Sequence, residues 1–221
     1  MYTVKEIFST LQGEGAHAGR VSVFCRFTGC NLWSGREEDR LNSICQFCDT
    51  DFIGTDGSGG GKYASSQELA ARIVQEWTGM NLSKTYRYVV FTGGEPLLQL
   101  DEELIKALKA EHFQIAIETN GTINTPPGID WICVSPKDGS ELLVLQADEI
   151  KYIVPQKHGN IQKDAIIQKL KRFEQMNFKH FYLQAMDSPA KEQHLELAIE
   201  LCKERPLWRL STQQHKTLNL P

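Results

Sequence analysis

Three cysteines, Cys30, Cys45 and Cys48, fall within the stretch TGCNLWSGREEDRLNSICQFCDTDF, and the last two close an aromatic-flanked Cys-Gln-Phe-Cys turn. Three thiolates suit a [4Fe–4S] cluster held through three irons, with the fourth iron open to a chelating ligand for one-electron chemistry. They are one short of a closed structural zinc site, which takes four ligands. The zinc reading requires a histidine, His17 or a more distant one, as the fourth. The 14 residues between Cys30 and Cys45 do not forbid a common site, since a loop can leave and return to one corner at modest entropic cost. Cys25, Cys133 and Cys202 sit in apolar runs or on a helix's apolar stripe and read as core packing.

The elements that must position these thiols form a βα series. Apolar runs of strand length cover 21–27, 87–92, 114–119, 131–135, 149–154, 178–184 and 208–212, several of them continuous, as in a parallel sheet covered on both faces. Ser65 followed three residues later by Glu68 predicts a capped helix with Leu69, Ile73 and Trp77 on one face. Asp101 caps the next, a third spans 163–176, and a fourth spans 190–204 with Leu195, Ala198, Ile199 and Cys202 as its apolar stripe.

Such a series closes, wholly or partly, into a barrel whose site lies at the C-terminal strand ends. The polar motifs fall there: Thr92-Gly93-Gly94-Glu95-Pro96, Glu118-Thr119-Asn120-Gly121, Ser135-Pro136-Lys137 and Gln184-Ala185-Met186-Asp187. The chain reads as one α/β domain over 1–221, interrupted by a charged insert at 32–44 and a Gly-rich segment at 54–61 expected to be a mobile loop beside the site or, equally, a plain linker. Arg26 stands in a strand that should be buried, so it needs a partner.

With 221 residues and 41% hydrophobic content, the chain can bury one sizeable core. A net charge of -4 and a pI near 5.9 give no pull toward nucleic acid, which favours a small-molecule substrate. The N-terminus lacks a secretory pattern and no window approaches the roughly 20 apolar residues of a membrane span, so a cytoplasmic setting is expected. There, six cysteines read as metal or redox ligands and core packing, not as disulfides.

Taken together, LQGEG at 11–15, FCRFTGCNLW at 24–33, CQFCDTDF at 45–52, TGGEPLLQ at 92–99, ETNG at 118–121, SPK at 135–137, LQAMD at 183–187 and the tail RLSTQQHKTLNLP make a pattern. It resembles the radical S-adenosylmethionine (SAM) superfamily and, within it, the 7-carboxy-7-deazaguanine synthase family of queuosine and 7-deazapurine biosynthesis. The superfamily's usual spacing is Cys-x3-Cys-x2-Cys, and the long first gap here is a departure that some deazaguanine synthases share.

The resemblance implies an incomplete, modified TIM-type barrel, a [4Fe–4S] cluster on Cys30, Cys45 and Cys48, S-adenosylmethionine, and Mg2+ on Thr50. It assigns cofactor contacts to Phe47, Cys48, Asp49, Gly93, Gly94, Glu95, Glu118, Asn120, Ser135, Pro136, Lys137, Gln184, Ala185, Met186 and Asp187. It assigns the pterin substrate, 6-carboxy-5,6,7,8-tetrahydropterin, to Leu11, Gln12, Gly13, Glu14, Arg26, Thr92, His215 and Pro221, with the tail at 208–221 closing over it. The implied reaction is a lyase ring contraction begun by hydrogen abstraction at C6, with loss of ammonia, and no side chain carries the radical. A flavodoxin or ferredoxin as electron donor, and a homodimer, are implied too. Two other readings stay open: a glycyl-radical-activating enzyme, which shares the cluster and TGGEP, and a zinc-binding adaptor.

Overall fold

The computed structural model describes residues 1–157 and 162–221. Nine strands form one open sheet: β1 (Tyr2–Leu11), β2 (Val21–Phe27), β3 (Gly61–Tyr63), β4 (Tyr88–Gly93), β5 (Gln114–Thr119), β6 (Trp131–Val134), β7 (Gln146–Val154), β8 (Asn177–Ala185) and β9 (Trp208–Ser211). Their order is β3-β1-β2-β4-β5-β6-β7-β8-β9. β1 is antiparallel to both β2 and β3, and every pairing from β2 to β9 is parallel. The expected strands are present within a few residues at their ends, and the sheet is the incomplete barrel that the sequence motifs imply.

The helices α1 (Ser66–Gly79), α2 (Glu102–Ala110), α3 (Lys163–Phe173), α4 (Lys191–Glu204) and α5 (Gln214–Leu218) complete the fold. Ser65 caps α1 by accepting from the Glu68 amide, and the Glu68 carboxylate reaches back to the Ala64 amide. Leu69 and Ile73 are then fully buried, each worth about 1.5–3 kcal/mol of transfer from water. Asp101 caps α2 through the Leu104 amide. On α4 the stripe is displaced from the expected one: His194, Leu197, Ala198 and Leu201 are buried and Leu195 is exposed. Burial of His194 is tolerated because its Nδ1 meets the Met186 carbonyl and the Ser188 hydroxyl.

Two apolar clusters divide the molecule. One packs β1, β2, β4 and β5 against α1 and α2, the other packs β6 to β9 against α3 and α4, and Ile132 touches both. Cys25 and Cys133 are buried in the sheet, as expected of packing residues. Two elements depart from expectation. β1 was not anticipated, because a bulge between Val4 and Glu6 breaks the period-two burial of Tyr2, Val4 and Ile7. The Gly-rich segment is not a free loop: it is laced along β1, with the Ile7 amide on Ser58 O and the Gly57 amide on Lys5 O. Lys5 secures it further through Ile53 O, Asp51 and Asp56. Among the described residues no helix is long and apolar enough to cross a membrane.

Candidate active site

A cavity of about 450 Å³ opens at the C-terminal ends of the parallel strands and is lined also by β1 and by the tail after β9. It brings together every residue that the resemblance assigns to cluster, magnesium, cofactor or substrate except Glu95 and Pro136. Cys30, Cys45 and Cys48 share one corner with Phe47, packed on Leu32, Trp33 and Phe52. The Cys48 thiol is held below the usual thiol range by its hydrogen bond with Cys45, against the effect of burial and with help from the Thr50 amide. That same bond, together with burial, pushes Cys45 up. Lys137 lies near enough for its charge to favour both thiolates.

The corner is built by close backbone approach. Gly93 ends β4 at φ +140, and a Cβ there would strike the backbone of Phe27. A Cβ on Gly94 would strike Gly29 O and the Cβ of Cys30. These glycines therefore let β4 press against the end of β2 and seat the first cysteine. Glu95 is fully buried and accepts from the Leu97 amide (3.0 Å), the Thr119 hydroxyl (2.8 Å) and the Asn120 amide (2.8 Å), so its carboxylate fixes the turn after β5. The Pro136 carbonyl accepts from Gln156 (2.8 Å).

The insert at 32–44 is not simply looped out. It forms a 3₁₀ turn (Glu37–Asn42) whose Arg40 lies 3.9 Å above the Trp33 ring and donates to Gln46 O (3.1 Å) and Cys48 O (3.0 Å). Its guanidinium also pairs with Glu37. The backbone of the Cys-Gln-Phe-Cys turn is thus held from outside.

Across the cavity stands a polar cage that the sequence did not announce. Lys151 on β7 donates to Glu14 (2.6 Å) and Glu118 (2.9 Å). Gln184 and Gln213 each donate to the other oxygen of Glu14 (3.0 Å), and Gln12 donates to Glu118 (3.2 Å). Burial alone would raise the Glu14 carboxyl, but Lys151, Gln213 and His215 overcome it and hold it at about 2. On the rim, Arg26 lies beside Thr92 in register and donates from Nε to Glu6 (2.7 Å).

The tail is tied down. The Gln214 amide donates to Gly13 O, Lys216 bridges Asp49 and Asp187, and the Thr10 hydroxyl donates to Pro221 O (3.2 Å). His215 lines the cavity, and burial keeps its imidazole below the usual range. His17, the candidate fourth zinc ligand, lies elsewhere, bonded to the Tyr88 hydroxyl (2.7 Å) and packed on Trp131. Among the described residues the cavity holds no fourth cysteine, since Cys25, Cys133 and Cys202 do not line it. No three Cys, His, Asp or Glu side chains among the described residues are grouped to hold one metal ion, whereas three soft thiols lining one corner of the cavity suit a cluster, which is held through separate irons.

A parallel sheet with this thiol corner at its C-terminal rim defines a radical SAM protein, and the model of the radical SAM superfamily matches residues 40–141. A 7-carboxy-7-deazaguanine synthase of Bradyrhizobium diazoefficiens is 56% identical over 219 residues, 99% of each chain. The synthase of Caulobacter vibrioides is 52% identical over 220 residues, 100% of this chain and 99% of the relative. The crystal structure of QueE from Escherichia coli superposes with a TM-score of 0.71 at 30% identity, covering 97% of this chain and 94% of that one. The chain belongs to the 7-carboxy-7-deazaguanine synthase family.

Proposed function

We propose that the cavity binds 6-carboxy-5,6,7,8-tetrahydropterin beside a [4Fe–4S] cluster and S-adenosylmethionine, and that the product is 7-carboxy-7-deazaguanine with release of ammonia. The observation that carries this reading is the opposition, within one cavity, of a three-thiol corner and a cage of carboxylates gathered on Lys151. Cys30, Cys45 and Cys48 would hold the cluster, and Phe47, Asp49, Asn120, Ser135, Lys137 and the 184–187 segment would receive the sulfonium cofactor. When bound, this pair supplies a 5′-deoxyadenosyl radical able to take a hydrogen atom from the substrate's C6.

The chain's own groups do the positioning. Gln12, Glu14 and the Leu11 and Gly13 backbone face the guanidine-like edge of the pterin, which is rich in N–H donors and wants acceptors. Arg26, with Thr92 beside it, offers the cation for the C6 carboxylate. Thr50 places one hard oxygen in the cavity, and a magnesium ion there would draw its other ligands from substrate and water, because Asp49 and Asp51 are engaged by lysines. Gln213, His215 and Lys216 of the docked tail shield the reacting carbon from water, which protects a radical and fixes its reach.

The test is direct. Anaerobically reconstituted protein given a low-potential reductant, S-adenosylmethionine, Mg2+ and 6-carboxytetrahydropterin should yield 7-carboxy-7-deazaguanine by mass spectrometry. Unchanged pterin, despite a spectroscopically intact cluster, would reject the reading.

A further inference from the structure

Lys151 is an unusual residue to bury. Its side chain is 5% exposed, in a strand whose neighbours Ile150, Tyr152 and Val154 are core residues. A buried ion pair gives little net stability over a well-packed apolar residue of the same size, so stability alone does not explain an ammonium here. What the ammonium does is specific: it is shared between Glu14, from the segment after β1, and Glu118, at the end of β5. Both carboxylates line the cavity, and Gln12, Gln184 and Gln213 fix their remaining oxygens.

We infer that Lys151 is a positioning residue for substrate recognition: its ammonium holds Glu14 and Glu118 side by side as paired anionic acceptors for the pterin's guanidine-like donor edge. This moves Glu118 from the cofactor to the substrate side of the cavity, and it rests on the synthase reading above. Two carboxylates that share one ammonium repel each other once it is removed, and such a pair takes up a proton more readily. Without the ammonium, one acceptor becomes a carboxylic acid as pH falls, and its proton then faces the substrate's own N–H.

The sign follows from that. Around Lys151 stand Glu14, Glu118, Glu149 on its own strand, Cys133 on β6, Lys137 beyond β6, and His215 on α5. With Lys151 present, Glu14 stays ionised across the neutral range. Without it, the pair takes up a proton as pH falls, so affinity must fall with pH.

Pterin-6-carboxylate, a stable aromatic relative of the substrate, serves as probe in anaerobic equilibrium dialysis with the cluster-loaded protein. Lys151→Met should bind it roughly 10- to 100-fold more weakly than the parent, the scale of a charge-assisted hydrogen bond. The ratio of parent to variant affinity should widen as pH is lowered from about 8 to about 5.5, the range where a like-charge carboxylate pair protonates. Lys151→Arg should recover part of the loss and flatten the profile. Equal affinity of parent and Lys151→Met at every pH overturns the inference while leaving the synthase reading intact. A parent that binds no carboxypterin at all removes both. Should Lys151→Met not fold, Lys151→Met combined with Glu118→Gln relieves the like-charge conflict; it should bind weakly with a parent ratio independent of pH, and parent-like affinity would refute the assignment.

Discussion

Two segments close over the strand ends, the insert at 32–44 and the tail that follows β9, and they are held in opposite ways. The insert buries Leu32 and Trp33 beside the cysteines, but its 3₁₀ turn has no buried residue, and that turn grips the site through the Arg40 guanidinium, stacked on Trp33 and bonded to two carbonyls of the cysteine turn, and through Ser43 and Gln46. The tail has no buried residue in α5 either, yet it is sewn to several places at once: Gly13 O, Glu14, Asp49 and Asp187. One segment braces the metal corner from behind, and the other covers the substrate from in front. The lesson is that exposed segments with little core of their own are positioned here by charged and polar contacts to backbone and carboxylates, and that the count and placement of those contacts set their roles.

The contrast can be broken at each point. Cys45→Ala removes a thiol itself, and iron and sulfide analysis after reconstitution should find essentially no cluster. Full occupancy in that variant would contradict the ligand set. Deleting 212–221 should leave the cluster's visible spectrum unchanged and lower product formation by on the order of 100-fold, since the reacting carbon becomes open to water and loses its fixed orientation. A cluster lost along with the tail would mean that the two segments are not separable.

Smaller effects sharpen the picture. Arg40→Ala leaves two carbonyls of the ligand turn without a charged donor, an interaction of about 1.5–3 kcal/mol per bond at most and less at a partly exposed site. It should accelerate iron loss to a chelator several-fold while the melting temperature of the whole chain stays nearly constant. Lys216→Met breaks two partly exposed ion pairs, each worth about 0–1 kcal/mol and screened by salt. Its Michaelis constant should rise only slightly at low ionic strength and match the parent in high salt, whereas a large, salt-insensitive rise would make Lys216 a substrate contact.

Much of this was legible in the sequence, and the parts that were not fail for definite reasons. Strands 21–27 and 114–119 are mostly apolar cores between polar turns, and their bounds match the observed β2 and β5. β1 was hidden by its bulge, which shifts the alternation midway. The stripe of α4 was displaced because a histidine, polar by type, is buried on local hydrogen bonds. The Gly-rich segment looked free because nothing local shows that Lys5 and the β1 backbone would take its carbonyls and carboxylates.

The site divides the same way. The cysteines and strand-end motifs announce themselves by type and spacing, and the cavity gathers them. Lys151 did not, because within EIKYIV it reads as one of two charges in an otherwise apolar strand, and its partners lie 137 and 33 positions away in the chain. Arg40 was likewise lost in a charged stretch. In Glu95 the motif was seen but its surroundings were not: three donors from its own turn and the next surround it before any ligand arrives.

The open sheet carries one further consequence. Just past β1, the Gly15 amide donates to the Ser211 hydroxyl and the Ala16 amide to Glu149, so a strand near one margin is fastened to strands at the other. With the Lys151 and Gln184 bonds to Glu14, these cross-seam contacts bound a chamber between the two margins, and they involve no residue of either apolar cluster. Gentle warming will part the seam before it melts either half, and the chamber's hold on its ligand will lapse while calorimetry still registers a folded protein.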